Sequence, residues 1–348
     1  MHTKHFIVKK EQPDKQILAQ AAQLLKKGKL VAFPTETVYG LGANGLDSQA
    51  VASIYQAKGR PSDNPLILHI ARQEELARLV THIPPSAQAL MDSYWPGPLT
   101  IVLHRRAIVP DIVSGGLDTV AVRLPASVVA RELIALAGVP IAAPSANTSG
   151  RPSPTSAKDV LDDLNGRIDA IIDTGSCDIG VESTVVDCTT PVPTLLRPGG
   201  ITLEMLIDTL GEIETDPALD GGESIPKSPG MKYVHYAPSA PMILFEGAYP
   251  SIFHNMLQEI QTSLVAGKRV GAILSQESAR HLPLTVVSAV YGSRQKLEDI
   301  AANLYTTLRS FDNEPVDIIY AEGVEEMGIG LAIMNRLRKA SGYRIVKG

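Results

Sequence analysis

Short apolar runs alternate with segments of helical spacing along most of the 348-residue chain, and the alternation lapses over about residues 217–241. This rhythm limits the fold more than any other feature. Strands separated by helices are laid into one sheet, and the helices bury its faces. Residues 29–34 (KLVAFP) read as a buried strand. The spacing of Val51, Ile54 and Tyr55 predicts a helix over Ser48 to Lys58, with Asp47 or Ser48 as N-cap and Gly59 as terminator. Further strands are expected at 65–70, 99–103, 119–124, 139–143, 170–173, 183–187 and 194–196. Helices are expected at 73–79, 86–94, 127–137 and 156–164. Together they predict an α/β domain on a mixed, twisted sheet.

The interruption, DPALDGGESIPKSPGMKYVHYAPSAP, has the Pro, Gly and Ser content of a linker. Residues 231–236 nevertheless gather two Tyr, a His and a Lys, which a passive spacer does not need. From Met242 the strand–helix pattern resumes. The expected organisation is a catalytic domain over 1–210, a linker or lid over 211–241, and a smaller doubly wound, Rossmann-like C-terminal domain over 242–348.

Composition removes several classes. A net charge of −5 excludes a protein that works by being globally basic, though not a local basic site. The two cysteines, Cys177 and Cys188, form no CxxC pair, so neither a disulfide scaffold nor a cysteine-rich zinc site is expected. The longest apolar stretch, Leu133 to Ala143, is broken by Gly138 and Pro140 and falls short of the ~20 residues of a membrane span. The first residues hold no apolar core of leader length. A soluble, cytoplasmic protein is expected, with no membrane partner.

No GxxxxGK[ST] loop is present, and no GxGxxG follows a strand. Any anion site must therefore come from single side chains at strand ends, where open α/β sheets bind ligands. Five junctions offer them. Residues 34–40 (PTETVYG) carry hydroxyls that suit either a turn or a ligand. Residues 58–65 supply Lys58, Arg60, Ser62 and Asn64 on a loop stiffened by prolines, fit for phosphate or for a solvated loop. Residues 144–153 supply Ser145, Asn147 and Ser153, fit for a nucleotide or for Asx and Ser turns. Arg123 ends an apolar strand and needs an anionic partner, either a structural carboxylate or a substrate. Residues 180–184 pair with Arg197-Pro198-Gly199-Gly200, where the glycines permit positive φ. His69 alone reads as a satisfied core or edge histidine, and no metal-ligand spacing accompanies it.

The ordered set FPTETVYGLGANG, KGRPSDNPLILHI, WPGPLTIVL, TVAVRLP, APSANTSGRPSPT, GVESTVVD and LLRPGG strongly resembles the YrdC-like family of threonylcarbamoyl-AMP synthases. Lys58-x-Arg60 with Ser145-x-Asn147 matches that family's signature, and the motifs span about Phe33 to Gly200. The segment SPGMKYVHYAP and the second domain are similar to the long, two-domain form. The resemblance implies synthesis of L-threonylcarbamoyl-AMP from L-threonine, bicarbonate or CO2, and ATP, with release of pyrophosphate. It implies Mg2+ on the ATP phosphates and no tightly bound organic cofactor. The product would pass to the tRNA threonylcarbamoyl-transferase machinery, for N6-threonylcarbamoyladenosine next to the anticodon.

The same resemblance distributes roles. Lys58, Arg60, Ser145 and Asn147 form the catalytic signature. ATP is expected on these four together with Ser62, Asn64, Thr119, Ser153, Arg197 and Tyr236, the last as a lid. Threonine is expected on Thr35, His69, Arg123 and Ser183, with Arg123 on its carboxylate. His69 is the candidate proton acceptor. Three rivals are weaker, the first being a regulatory protein with a degenerate site, against which every signature position is intact. An RNA-binding module suits the fold type, and RNA contact stays open as a partner, but basic residues are not interleaved with aromatics. A carbamoyl-adenylate enzyme of hydrogenase maturation would carry cysteine zinc fingers, which this chain lacks.

Overall fold

The computed structural model describes residues 2–220 and 235–348. These divide into two compact units. The first runs to residue 220 without 150–152 and 179–181, and the second takes those two short segments with 235–348.

The first unit holds strands β1 (Lys4–Ile7), β2 (Val31–Phe33), β3 (Gly40–Asn44), β4 (Ile67–His69), β5 (Leu99–His104), β6 (Thr119–Arg123), β7 (Ile141–Ala142), β8 (Ala170–Asp173), β9 (Thr184–Asp187), β10 (Thr194–Arg197) and β11 (Glu214–Thr215). They form one mixed sheet in the order β1-β8-β2-β3-β7-β4-β6-β5-β9-β10-β11. Its helices are α1 (Lys15–Lys26), α2 (Ser48–Lys58), α3 (Pro85–Tyr94), the single turn α4 (Asp111–Ser114), α5 (Val128–Ala137), α6 (Ala157–Leu164) and α7 (Leu203–Leu210). α2 begins where Asp47 accepts from the backbone of Gln49 and Ala50, and it ends at Gly59 with φ 63°, as its sequence predicts. α1 and α5 bury Leu18, Leu25, Leu133 and Ile134 against Val31, Phe33 and Ile172 of the sheet.

Some elements escape the sequence pattern, and some expectations need correction. β3 is GLGAN, and glycine is depleted in strands because it adds backbone entropy and no packing. Here the missing side chain is the point. A Cβ on Gly42 would lie 2.8 Å from both Phe33 and Ile141, the residues flanking it on the neighbouring strands. Residues 73–78 form a 3-10 helix, not an α-helix. The strand expected over 139–143 pairs only at Ile141–Ala142. β11, within the expected linker, pairs in parallel with β10.

The second unit is a parallel sheet in the order β14-β13-β15-β12-β16. Its strands are β12 (Met242–Glu246), β13 (Val270–Ser275), β14 (Val287–Gly292), β15 (Ile318–Glu322) and β16 (Ile345–Lys347). Its helices are α8 (Ser251–Val265), α9 (Gln276–Ala279), α10 (Leu297–Ser310) and α11 (Gly330–Ala340). This is the doubly wound arrangement expected from residues 242–348. Among the described residues no helix is long and apolar enough to cross a membrane.

Candidate active site

Sheet register decides which functional side chains meet. His69 of β4 lies beside Arg123 of β6, and Arg123 beside Thr100 of β5. Ser183 precedes β9 on the far side of Thr100, and its Oγ is 2.8 Å from Thr100 Oγ1. Arg197, at the end of β10, donates to the Ser183 carbonyl (3.0 Å) and Oγ (3.1 Å). This inner row of His69, Arg123, Thr100, Ser183 and Arg197 is buried throughout. Gly199 makes the last step possible, because a Cβ there would sit 2.3 Å from the Thr184 nitrogen. Close approach, and not the positive φ expected of the Gly-Gly pair, is its use.

Arg123 has the structural carboxylate. Its Nη2 donates to Glu36 Oε1 at 2.6 Å, its Nη1 to Thr37 Oγ1 at 3.0 Å and its Nε to the Gly97 carbonyl at 3.3 Å. Burial pushes the Glu36 carboxyl up, but the Arg123 guanidinium and nearby backbone N–H groups outweigh it, so the group stays below its usual value. Thr35 is turn chemistry. Its Oγ1 accepts from the Thr37 and Val38 nitrogens and lies 2.7 Å from the Val38 carbonyl it can donate to. That turn fixes Glu36 and Thr37 against Arg123.

An outer row lies four residues back along β6, at Thr119, about 13 Å from Arg123 at the usual strand rise. Ser145 lies at the corresponding level, paired with Gly40 four residues along β3 from Asn44, the residue that shares the row of His69. Lys58, at the end of α2, donates its ammonium to the carbonyls of Ser145 (2.6 Å) and Asn147 (2.5 Å). Ser145 Oγ in turn donates to Asn147 Oδ1. Lys58 thus shapes the 145–147 loop. Arg60 Nη2 donates to the Pro65 carbonyl at 3.2 Å, and Asn64 is buried with Oδ1 lacking a partner. Between the rows, on the same face, lies an apolar floor of Ile67, Val102, Ala121, Val185 and Leu196.

The remaining expected residues fall as follows. Ser62 is exposed on the loop that carries Arg60. Ser153 is buried and donates to Glu182 Oε1. Tyr236 belongs to the second unit, with φ 64° and its ring 5.2 Å from that of Tyr305 on α10. Lys232 and Tyr233, part of the expected lid, lie outside the described residues. Glu36, Thr37, Thr100 and Glu182 are additions. Glu36 and Thr37 stand inside the first junction motif, whereas Thr100 carries no local signal and is found only through its register with Arg123.

His69 is buried, and its Nδ1 has no partner. Burial first, then the Arg123 charge, pulls its pKa down to about 3. A neutral imidazole of that basicity hydrogen-bonds well but accepts a proton poorly at neutral pH. Buried as it is here, His69 stands as a neutral hydrogen-bonding group. The same shift predicts a pH dependence. Unfolded histidine binds its proton near pH 6.5, so the unfolded chain takes up the proton first as pH falls. The stability contribution is complete above pH ~6.5 and is lost towards pH 3, by about 1 kcal/mol per pH unit. Urea unfolding at pH 7 and pH 5 should show it, and His69→Gln should flatten the difference. Glu36 adds its own loss only below 4.5.

Comparison with known proteins agrees with this geometry. The Sua5/YciO/YrdC family, described as "Telomere recombination", matches residues 23–199, and the family described as "Threonylcarbamoyl-AMP synthase, C-terminal domain" matches 201–342. The threonylcarbamoyl-AMP synthase of Pyrococcus abyssi is 53% identical over 94% of this chain and 94% of its own. That of Bacillus subtilis is 51% identical over 95% and 94%. The crystal structure of P. abyssi Sua5 complexed with L-threonine superposes with a TM-score of 0.94 at 51% identity, covering 99% of this chain and all of the other. Escherichia coli YciO, at 24% identity and a TM-score of 0.52, shares the fold of the first unit. Two cation-bearing rows on one sheet face and matches along nearly the whole length converge: the chain belongs to the threonylcarbamoyl-AMP synthase family.

Proposed function

We propose that this protein makes L-threonylcarbamoyl-AMP from L-threonine, bicarbonate or CO2, and ATP, releasing pyrophosphate. The observation that carries the reading is the pair of polar rows on one sheet face, about four strand residues apart, with an apolar floor between them. The inner row takes threonine, its carboxylate on Arg123 and its polar groups against His69 Nδ1, the Thr35 turn and Ser183. The outer row takes the nucleotide, with phosphates by Lys58, Arg60, Ser62 and Asn64, and the sugar and base by Ser145, Asn147, Ser153 and Thr119. Arg197 stands in the inner row, so the α-phosphate is the part of ATP it meets. Tyr236 meets the nucleotide as a lid residue in the stretch that follows β11. Threonine's ammonium loses a proton to solvent, the neutral amine bonds to CO2 with loss of a second proton (or to bicarbonate with loss of water), and an oxygen of the resulting carbamate attacks the α-phosphorus as its bond to pyrophosphate breaks.

Catalysis is then positioning and charge neutralisation on rigid strand ends. Mg2+ arrives with the nucleotide and is held chiefly by phosphate and water oxygens. The product passes to a transferase acting on tRNA in the cytoplasm, and direct RNA contact is not required. Pyrophosphate release should depend on threonine, with serine and no amino acid giving markedly less. Equal release with all three would remove the assignment.

A further inference from the structure

Two anions of very different charge must be sorted on one cation-bearing sheet face. A guanidinium grips a phosphate as readily as a carboxylate. Left alone at the inner row, Arg123 would draw a polyphosphate away from its own site. The structure gives Arg123 a buried companion instead. Glu36 Oε1 accepts from its Nη2 at 2.6 Å, and Oε2 accepts from the Ser127 nitrogen at 3.3 Å, at the start of α5. Held from two sides, this carboxylate is fixed in place. Three of the five N–H groups of Arg123 are engaged by Gly97, Thr37 and Glu36, which leaves one on each terminal nitrogen. Those two N–H groups are what Arg123 can still offer a carboxylate.

We infer that Glu36 is the specificity-determining residue of the threonine pocket: it cancels the Arg123 charge and fixes its guanidinium, so that an amino-acid zwitterion enters and a polyphosphate is refused. Threonine brings an ammonium with its carboxylate and adds no net charge beside Glu36. A polyphosphate adds several negative charges next to a fixed one, in a place too dry to screen them. The inference rests on Arg123 being the partner of threonine's carboxylate.

The test is threonine binding by calorimetry to the full chain, with inorganic pyrophosphate as the probe. In the unmodified protein, saturating pyrophosphate should not weaken threonine binding. In Glu36→Gln it should compete with threonine and raise the apparent Kd at least tenfold. Glu36→Asp keeps the charge and should remain insensitive. Displacement of threonine by pyrophosphate from the unmodified protein overturns the inference, and that measurement needs no variant to fold. Insensitivity of a folded Glu36→Gln protein overturns it as well. Arg123→Gln separates the underlying reading: if that variant still binds threonine normally, Arg123 is not the carboxylate's partner. If it loses threonine while Glu36→Gln ignores pyrophosphate, only the role of Glu36 falls.

Discussion

Arg123→Gln should abolish threonine-dependent pyrophosphate release at ordinary threonine concentrations while nucleotide binding persists. A charge-assisted, two-pronged contact to a carboxylate contributes on the order of 3 kcal/mol, which is roughly a hundredfold in the KM for threonine. The KM for ATP should move less than that for threonine, because the backbone of Arg123 stands about 13 Å along β6 from Thr119 of the outer row. The substitution also leaves Glu36 buried without its cation, a loss of about 3–5 kcal/mol when one partner of a buried pair is removed. Glutamine can still donate to Glu36, so part of this is recovered, and a thermal melt should accompany the kinetics. An unchanged KM for threonine in a folded variant would take Arg123 out of the pocket.

Lys58→Met should lower kcat/KM for ATP by about 10³, the scale seen when a charged or hydrogen-bonding group is removed from a transition-state site. The cause is double. The ammonium is the nearest cation to the 145–147 loop, and it also holds that loop through the carbonyls of Ser145 and Asn147. Lys58 is 1% exposed, and methionine fills nearly the same space, so the core around it stays packed. The loop does not stay put, because its two carbonyls lose their donor. Steady-state kinetics against ATP, with circular dichroism as the folding check, reads the effect. Normal turnover in a folded Lys58→Met protein would show that the phosphates lie elsewhere.

Much of this architecture is legible in the sequence, for reasons that differ by element. α2 can be read because Asp47 and Gly59 mark both of its ends. The second unit can be read because its buried parallel strands are continuous apolar runs. β3 cannot, because its glycines serve neighbouring strands and not its own propensity. The site divides in the same way. Its cations announce themselves at strand ends, as Lys58, Arg60, Arg123 and Arg197 do. Their partners do not. That Arg123 meets Glu36, and that Thr100 joins Ser183, depends on how strands distant in sequence are aligned. The division of the four cations into two rows likewise comes from register alone.

The five residues of β6 behave as a ruler. Thr119 and Arg123 stand at its two ends, facing the same way because an even number of peptide units separates them. Losing or gaining one residue between them would turn Arg123 towards the opposite side of the sheet. A change of two would keep its orientation but miss His69 and Thr100 by a full pleat. Insertions in this lineage can therefore accumulate in loops, whereas the length of β6 is set by the size of the molecule assembled across it.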